Sequence, residues 1–205
     1  MSEDDKQTKY RLDTCGLGAR FKDKTFDNFE VCKGHESEMQ PVFDACKAYA
    51  DNFEQNKAEG KWLVLIGPCG TGKGHLAAAI ATQIIREYDQ WVKFKKYIEL
   101  VSSIKNTWGG RTEDTEQEII TEACKCDLLI MDEIGVQFDT NAERVLIYRV
   151  LDSRYENLKP LIMTTNLCEK EIGKVVGQRI LDRMCEPPNE IIILNWPSYR
   201  QRGGR

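Results

Sequence analysis

A parallel α/β sheet with helices packed on both faces is the fold class that this 205-residue sequence predicts. Three observations predict it. Five short apolar runs, at 62–66, 91–97, 127–131, 159–166 and 190–194, alternate with stretches of helical period. Most of these runs are continuously apolar, the mark of strands buried on both faces of a parallel sheet. The first run leads directly into Gly67-Pro-Cys-Gly-Thr-Gly72-Lys73, a glycine-rich turn of the phosphate-cradling type at a strand-to-helix junction. The length suits one good core, since two full domains would each be small.

Taken in order, residues 1 to about 20 carry no sustained apolar period and are expected to be flexible, ahead of one folded domain over 21–205. Phe26 and Phe29 either anchor the chain on the core or flank a base, and aromatics more often anchor. Glu38–Glu59 reads as one helix, with Val42, Ala45, Cys46, Tyr49 and Phe53 at three- and four-residue spacing and Gly60 ending it. Trp62–Ile66 is the first strand and Gly74–Asp89 the helix after the glycine-rich turn. Trp91–Tyr97 is the second strand. Ile98–Trp108 is a helix ending at Gly109-Gly110. Thr112–Cys126 is another, opened by Thr112 or Asp114. Asp127–Met131 is an apolar strand ending in Asp132-Glu133. Asn141–Asn157 is a helix whose Val145, Leu146, Tyr148, Val150 and Leu151 form a buried face. Lys159–Asn166 is a strand entered through a proline. Two short helices, Glu169–Val176 and Gln178–Cys185, are split by Gly177. Glu190–Leu194 is the last strand, followed by a basic tail from Trp196.

Composition narrows the function classes. A net charge of −4 argues against a protein that coats nucleic acid along its whole surface, but leaves room for a local basic groove. No apolar run approaches the roughly 18 residues of a spanning helix, so no membrane is expected. The polar, acidic start is no secretory signal, which predicts a cytoplasmic protein. There are eight cysteines but no Cys-x-x-Cys pair, and only two histidines, a pattern that argues against zinc.

The chemistry concentrates at the strand ends, where open parallel sheets bind ligands. Glycines let the loop backbone turn its N–H groups inward at phosphate oxygens, and the following helix presents its positive end to the same anion. Lys73 would reach the terminal phosphates as a point charge. The next residue should be Ser or Thr, to put a hydroxyl on magnesium, and is Gly74. Asp132 is suited to hold magnesium, directly or through water. Glu133 is the natural base or water-orienting group. Asn166 either orients that water or caps the next helix. Arg179 and Arg183 share a helix face, and either could serve another subunit's phosphate or simply pair with Asp182 or solvent.

The order of these motifs, Gly-Pro-Cys-Gly-Thr-Gly-Lys-Gly-His, then Asp-Glu-Ile-Gly-Val-Gln, Thr-Thr-Asn, Arg-Ile-Leu-Asp-Arg-Met and Asn-Trp-Pro-Ser-Tyr-Arg, resembles the DnaC-type replicative helicase loaders. These are AAA+ P-loop ATPases related to the initiator DnaA and to IstB-type transposition helpers, and the likeness runs from about Gly16 to Arg202. It implies ATP and Mg2+ as cofactors, with Gly67, Pro68, Cys69, Gly70, Thr71, Gly72, Lys73, Gly74 and His75 around the nucleotide. It implies Asp132 at the metal, Glu133 in hydrolysis and Asn166 as first sensor. Arg183 would be the finger on a neighbour's nucleotide, with Arg179 the alternative, and Arg200 the second sensor. The family also binds single-stranded DNA through the helix after the second strand. The matching residues are Lys105, Trp108 and Arg111, with Trp108 either stacking on a base or packed at a helix end. The resemblance further implies self-association and a DnaB-type helicase as partner. The function expected is ATP-dependent loading of that helicase on single-stranded DNA. An IstB-like transposition helper and a nucleotide-switched adaptor with little hydrolysis are the alternatives. Two departures stand out. Gly74 predicts slow turnover, and the roughly 20 residues ahead of the likeness are too few for an independent helicase-binding domain.

Overall fold

The computed structural model describes residues 3–108, 112–135 and 141–199. Its centre is a five-stranded parallel sheet of β1 (Trp62–Ile66), β2 (Val92–Lys96), β3 (Leu128–Ile134), β4 (Leu161–Thr165) and β5 (Glu190–Ile193). The spatial order is β2-β3-β4-β1-β5. Alternation along each strand divides the core in two, because successive side chains leave a strand on opposite faces. Leu63 and Leu65 join Ile130, Ile162 and Ile192 on one face, under α2 (Glu36–Asp51), α3 (Phe53–Glu59) and α4 (Lys73–Tyr88). Trp62, Val64 and Ile66 join Leu129, Met131 and Met163 on the other. That face is covered by α5 (Tyr97–Trp108), α6 (Glu116–Lys125), α7 (Asn141–Glu156), α8 (Glu169–Val176) and α9 (Gln178–Met184). The expected fold class is the observed one.

Several local expectations are corrected. Glu3–Thr14, expected to be flexible, forms α1. It is polar all round and buries no residue, so it shows no apolar stripe. It is held instead by Arg11, whose guanidinium pairs with Asp89 at 2.8 Å, and by Leu12 packing on the core. Just beyond it, the Cys15 carbonyl accepts a hydrogen bond from Phe94 N–H at 2.6 Å and covers the edge strand β2. The single helix over Glu38–Glu59 is two, broken at Asn52, which leaves helical geometry (φ −107°, ψ 30°) so that Phe53 can turn into the core. Neither Thr112 nor Asp114 opens α6. Thr115 does, through a reciprocal capping box with Glu118. Strand β3 runs past Met131 to Ile134 through a register shift against β4.

In α7 the buried stripe is Leu146, Ile147, Val150 and Leu151, with Val145 left 57% exposed and Tyr148 half-buried. Two charged residues, Glu143 and Arg154, extend the stripe at its ends. Arg154 is fully buried. Its guanidinium donates to the carbonyls of Ala123 (2.7 Å), Cys124 (3.3 Å), Cys126 (3.2 Å) and Pro160. It thus closes the last turn of α6, where a cation also suits the helix dipole, and ties that turn to the entry of β4. No helix among the described residues is long and apolar enough to cross a membrane.

Candidate nucleotide site

The phosphate loop leaves β1 between β4 and β5. Gly67 N–H donates to the Thr165 carbonyl at 3.1 Å, and the Lys73 ammonium bonds the carbonyls of Gly67 (2.6 Å) and Pro68 (2.8 Å). The loop is framed from outside by the chain's last described residues. Trp196 Nε1 donates to the Thr71 carbonyl and Tyr199 N–H to the Gly70 carbonyl, each at 3.0 Å. Gly70 has φ +84°, and a Cβ there would stand 2.0 Å from Ser198 Oγ, so this strap demands a glycine beneath it. The Tyr199 hydroxyl reaches across the cleft to Glu30 at 2.8 Å. The cleft so enclosed measures about 620 Å3, within the usual range for a small-molecule site.

The two carboxylates ending β3 are held in contrasting ways. Asp132 is buried, and its Oδ1 accepts from the Thr164 hydroxyl at 2.5 Å. Burial pushes its pKa up, against the opposing pull of the Thr164 hydrogen bond. Glu133 is exposed and has φ 59°, a left-handed conformation that costs a non-glycine residue on the order of 1 kcal/mol or more. Its N–H is tied to Thr164 Oγ1 at 3.0 Å. One threonine therefore holds both neighbours, turning Asp132 inward and Glu133 out at the cleft mouth.

Asn166 does not cap α8, because Cys168 occupies that position with Glu171 in a capping box. The Asn166 amide instead lies 4.0 Å from Cys69 Sγ at the top of the loop. His75 bonds the Thr25 carbonyl at 2.9 Å through Nε2 and packs edge-on to Phe29. Burial lowers its pKa. Phe26 is buried against Phe43, so it anchors the chain, whereas half-buried Phe29 lines the cleft. Sequence reasoning missed Arg20, Phe21, Lys24 and Glu30, which also line it. Only the adjacent Phe26 and Phe29 signalled that this arm packs near the loop.

The remaining site expectations divide. Arg183, expected to reach a neighbour, is only 6% exposed. Its guanidinium is held by Asp152 (2.5 Å) and Glu156 (2.7 Å) and stacks on Tyr155. Arg179, one turn earlier on α9, is exposed. Lys105 is paired with the buried Glu143 at 2.8 Å. Trp108 is not packed into the core. It is 53% exposed, with Nε1 donating to Glu116 at 2.7 Å. Arg111 and Arg200 lie outside the described residues.

A family model described as IstB-like ATP binding protein matches residues 22–205. The chain is 32% identical over 191 residues to the replicative helicase loader DnaC of Buchnera aphidicola subsp. Baizongia pistaciae (strain Bp), covering 93% of this chain and 75% of that one. It is 31% identical over 188 residues to the replicative helicase loader DnaC of Escherichia coli (strain K12), covering 91% and 73%. A crystal structure of the DnaC helicase loader superposes with a TM-score of 0.74 at 22% identity, covering 86% of this chain and 99% of that one, and shares the fold. A nucleotide-sized cleft over a phosphate loop, and a family match across nearly the whole chain, lead to one conclusion: the chain belongs to the IstB-like ATP-binding proteins, AAA+ in fold and related to the DnaC loaders.

Proposed function

We propose that this protein is an ATPase of the cytoplasm that loads a DnaB-type replicative helicase onto single-stranded DNA, with ATP bound between neighbouring subunits. The observation that supports hydrolysis most is the divided pair at the end of β3, where Asp132 faces in and Glu133 is turned out by its positive φ. The loop amides and Lys73 bind the phosphates. Asp132 suits magnesium, which in phosphate sites takes one or two carboxylates plus phosphate oxygens; bound there, the ion would neutralise charge on those oxygens. Glu133 takes the proton from the attacking water, and Asn166 orients that water.

Glu133→Gln is expected to cut turnover by about 10²–10⁴-fold while ATP stays bound. Phosphate release and retained nucleotide measure the two effects. A second reading, a nucleotide-switched adaptor, is favoured by Gly74, which supplies no hydroxyl to the metal; turnover unchanged in Glu133→Gln would favour it over the loader. Co-purification with a replicative helicase, with and without ATP, tests the client. No retention in either condition would move the reading toward the adaptor or a transposition helper.

The arginine acting in trans is assigned to Arg179, because the Arg183 guanidinium is committed to Asp152 and Glu156 within its own chain. Arg179→Ala should lower turnover by about 10³-fold or more at an unchanged thermal midpoint. Full activity in Arg179→Ala with loss in Arg183→Ala would return the role to Arg183. For DNA, the exposed Trp108 face is the contact we assign, with Lys105 and Arg111 as the charges proposed for the phosphates. Trp108→Ala should lose about 1–3 kcal/mol of single-strand affinity, and equal affinity by fluorescence anisotropy would remove that role.

A further inference from the structure

Gly74 is the second residue of α4 and has no positive φ. Serine would suit such a backbone better than glycine, so helix geometry does not explain the residue. The surroundings do. A Cβ at position 74 would stand 3.0 Å from Cε1 and from Cζ of Phe21, and 3.7 Å from Oδ1 of Asp132. Carbon atoms pack best at about 3.5–4.0 Å. The side-chain direction at 74 thus points into a gap between an aromatic ring and the carboxylate assigned to magnesium, and the ring already fills it.

That ring is held in place. It packs on Phe94 with 5.7 Å between centroids. Its backbone forms a turn, with Phe21 N–H donating to Gly18 O at 2.8 Å and Lys24 N–H to Phe21 O at 3.1 Å. The arm is fastened on either side, by Cys15 to β2 and by Thr25 to His75 on α4.

We infer that Phe21 is a positioning residue that keeps a hydroxyl at position 74 out of the metal's place at the phosphates, so that nucleotide binding by this chain depends little on a divalent cation. The inference rests on the nucleotide reading above. Without that hydroxyl the cation has one protein ligand fewer, and magnesium, which sheds its waters reluctantly, gains little by exchanging them at this site. Affinity then comes from the loop amides and Lys73, which act on the phosphates with or without the cation.

The test is titration calorimetry with ATP, in Mg2+ and in EDTA, on the parent, Phe21→Ala, Gly74→Ser and the double variant. The parent and Phe21→Ala should show Kd values within about threefold of each other in the two conditions. Phe21→Ala/Gly74→Ser should gain a preference for Mg2+ of about 10- to 100-fold. Gly74→Ser alone should not gain it. Should that variant fail to fold while the double variant folds and gains the preference, the outcome supports the same pairing of ring and glycine. A strong Mg2+ preference in the parent, the full gain in Gly74→Ser alone, or no gain in the double variant would each overturn the inference. Lys73→Ala separates the two readings. Parent-like ATP affinity in that variant sinks the nucleotide assignment, whereas a missing preference with affinity still lowered by Lys73→Ala sinks only the role of Phe21.

Discussion

Lys73→Ala is expected to weaken ATP binding by about 10- to 100-fold and to lower turnover by about 10²–10³-fold. Two losses combine. In the proposed site the ammonium is the point charge at the head of α4 that would meet the terminal phosphates, where positive charge reinforces the helix end. It also braces the loop, through its bonds to the Gly67 and Pro68 carbonyls at 2.6 and 2.8 Å. Lys73→Arg should recover little, because a planar fork does not replace a compact ammonium between such closely spaced acceptors. Calorimetric titration with ATP gives the binding term and phosphate release the turnover term. Parent-like affinity in Lys73→Ala would mean that the loop is not the nucleotide site.

Arg154→Ala should be the most damaging change away from the cleft, at about 3–5 kcal/mol of folding stability. The residue is fully buried and serves carbonyls from the end of α6 and from Pro160 at the entry to β4. Truncation removes the donors, leaves several buried acceptors unsatisfied and opens a cavity. For a chain of this size the thermal midpoint should fall by about 6–20 °C. Arg154→Lys should fall nearly as far, since one ammonium cannot reach acceptors spread over two elements. Arg149→Ala is the control. It lies on the same helix in a solvent-exposed pair with Glu116, and such pairs contribute under about 1 kcal/mol. Equal midpoints for the Arg154 and Arg149 variants would show that the buried guanidinium is not structurally required.

These two residues mark what could and could not be read from the chain. Lys73 could be singled out because the role proposed for it follows from local spacing, four residues between two glycines and then the lysine. The five strands were legible for a similar reason, since burial on both faces leaves a continuous apolar run. Arg154 was not, because charge ordinarily signals the surface and only the tertiary position of α6 makes it a cap. Helix α1 was hidden by having no stripe at all, and the partners that hold it, Asp89 and the core under Leu12, lie far along the chain. The role of Phe21 was equally hidden. The sequence presented Gly74 as a missing hydroxyl, and the ring that occupies its place comes from an arm more than 50 residues upstream. The pairing of Arg183 was expected at Asp182 or solvent, because its actual partners, Asp152 and Glu156, belong to another helix.

The strap from Trp196 to Tyr199 has a consequence for synthesis. The loop at 67–73 leaves the ribosome well before its outer frame of β5, Trp196 and Tyr199, which lies more than 100 residues further along the chain. A nascent chain that has made the loop but not the strap has no backing for Gly70 and Thr71. Nucleotide capture is therefore a late event in the life of each chain, and one that stops short of Trp196 carries the motif without its frame. In a cell, premature termination products would be poor competitors for nucleotide.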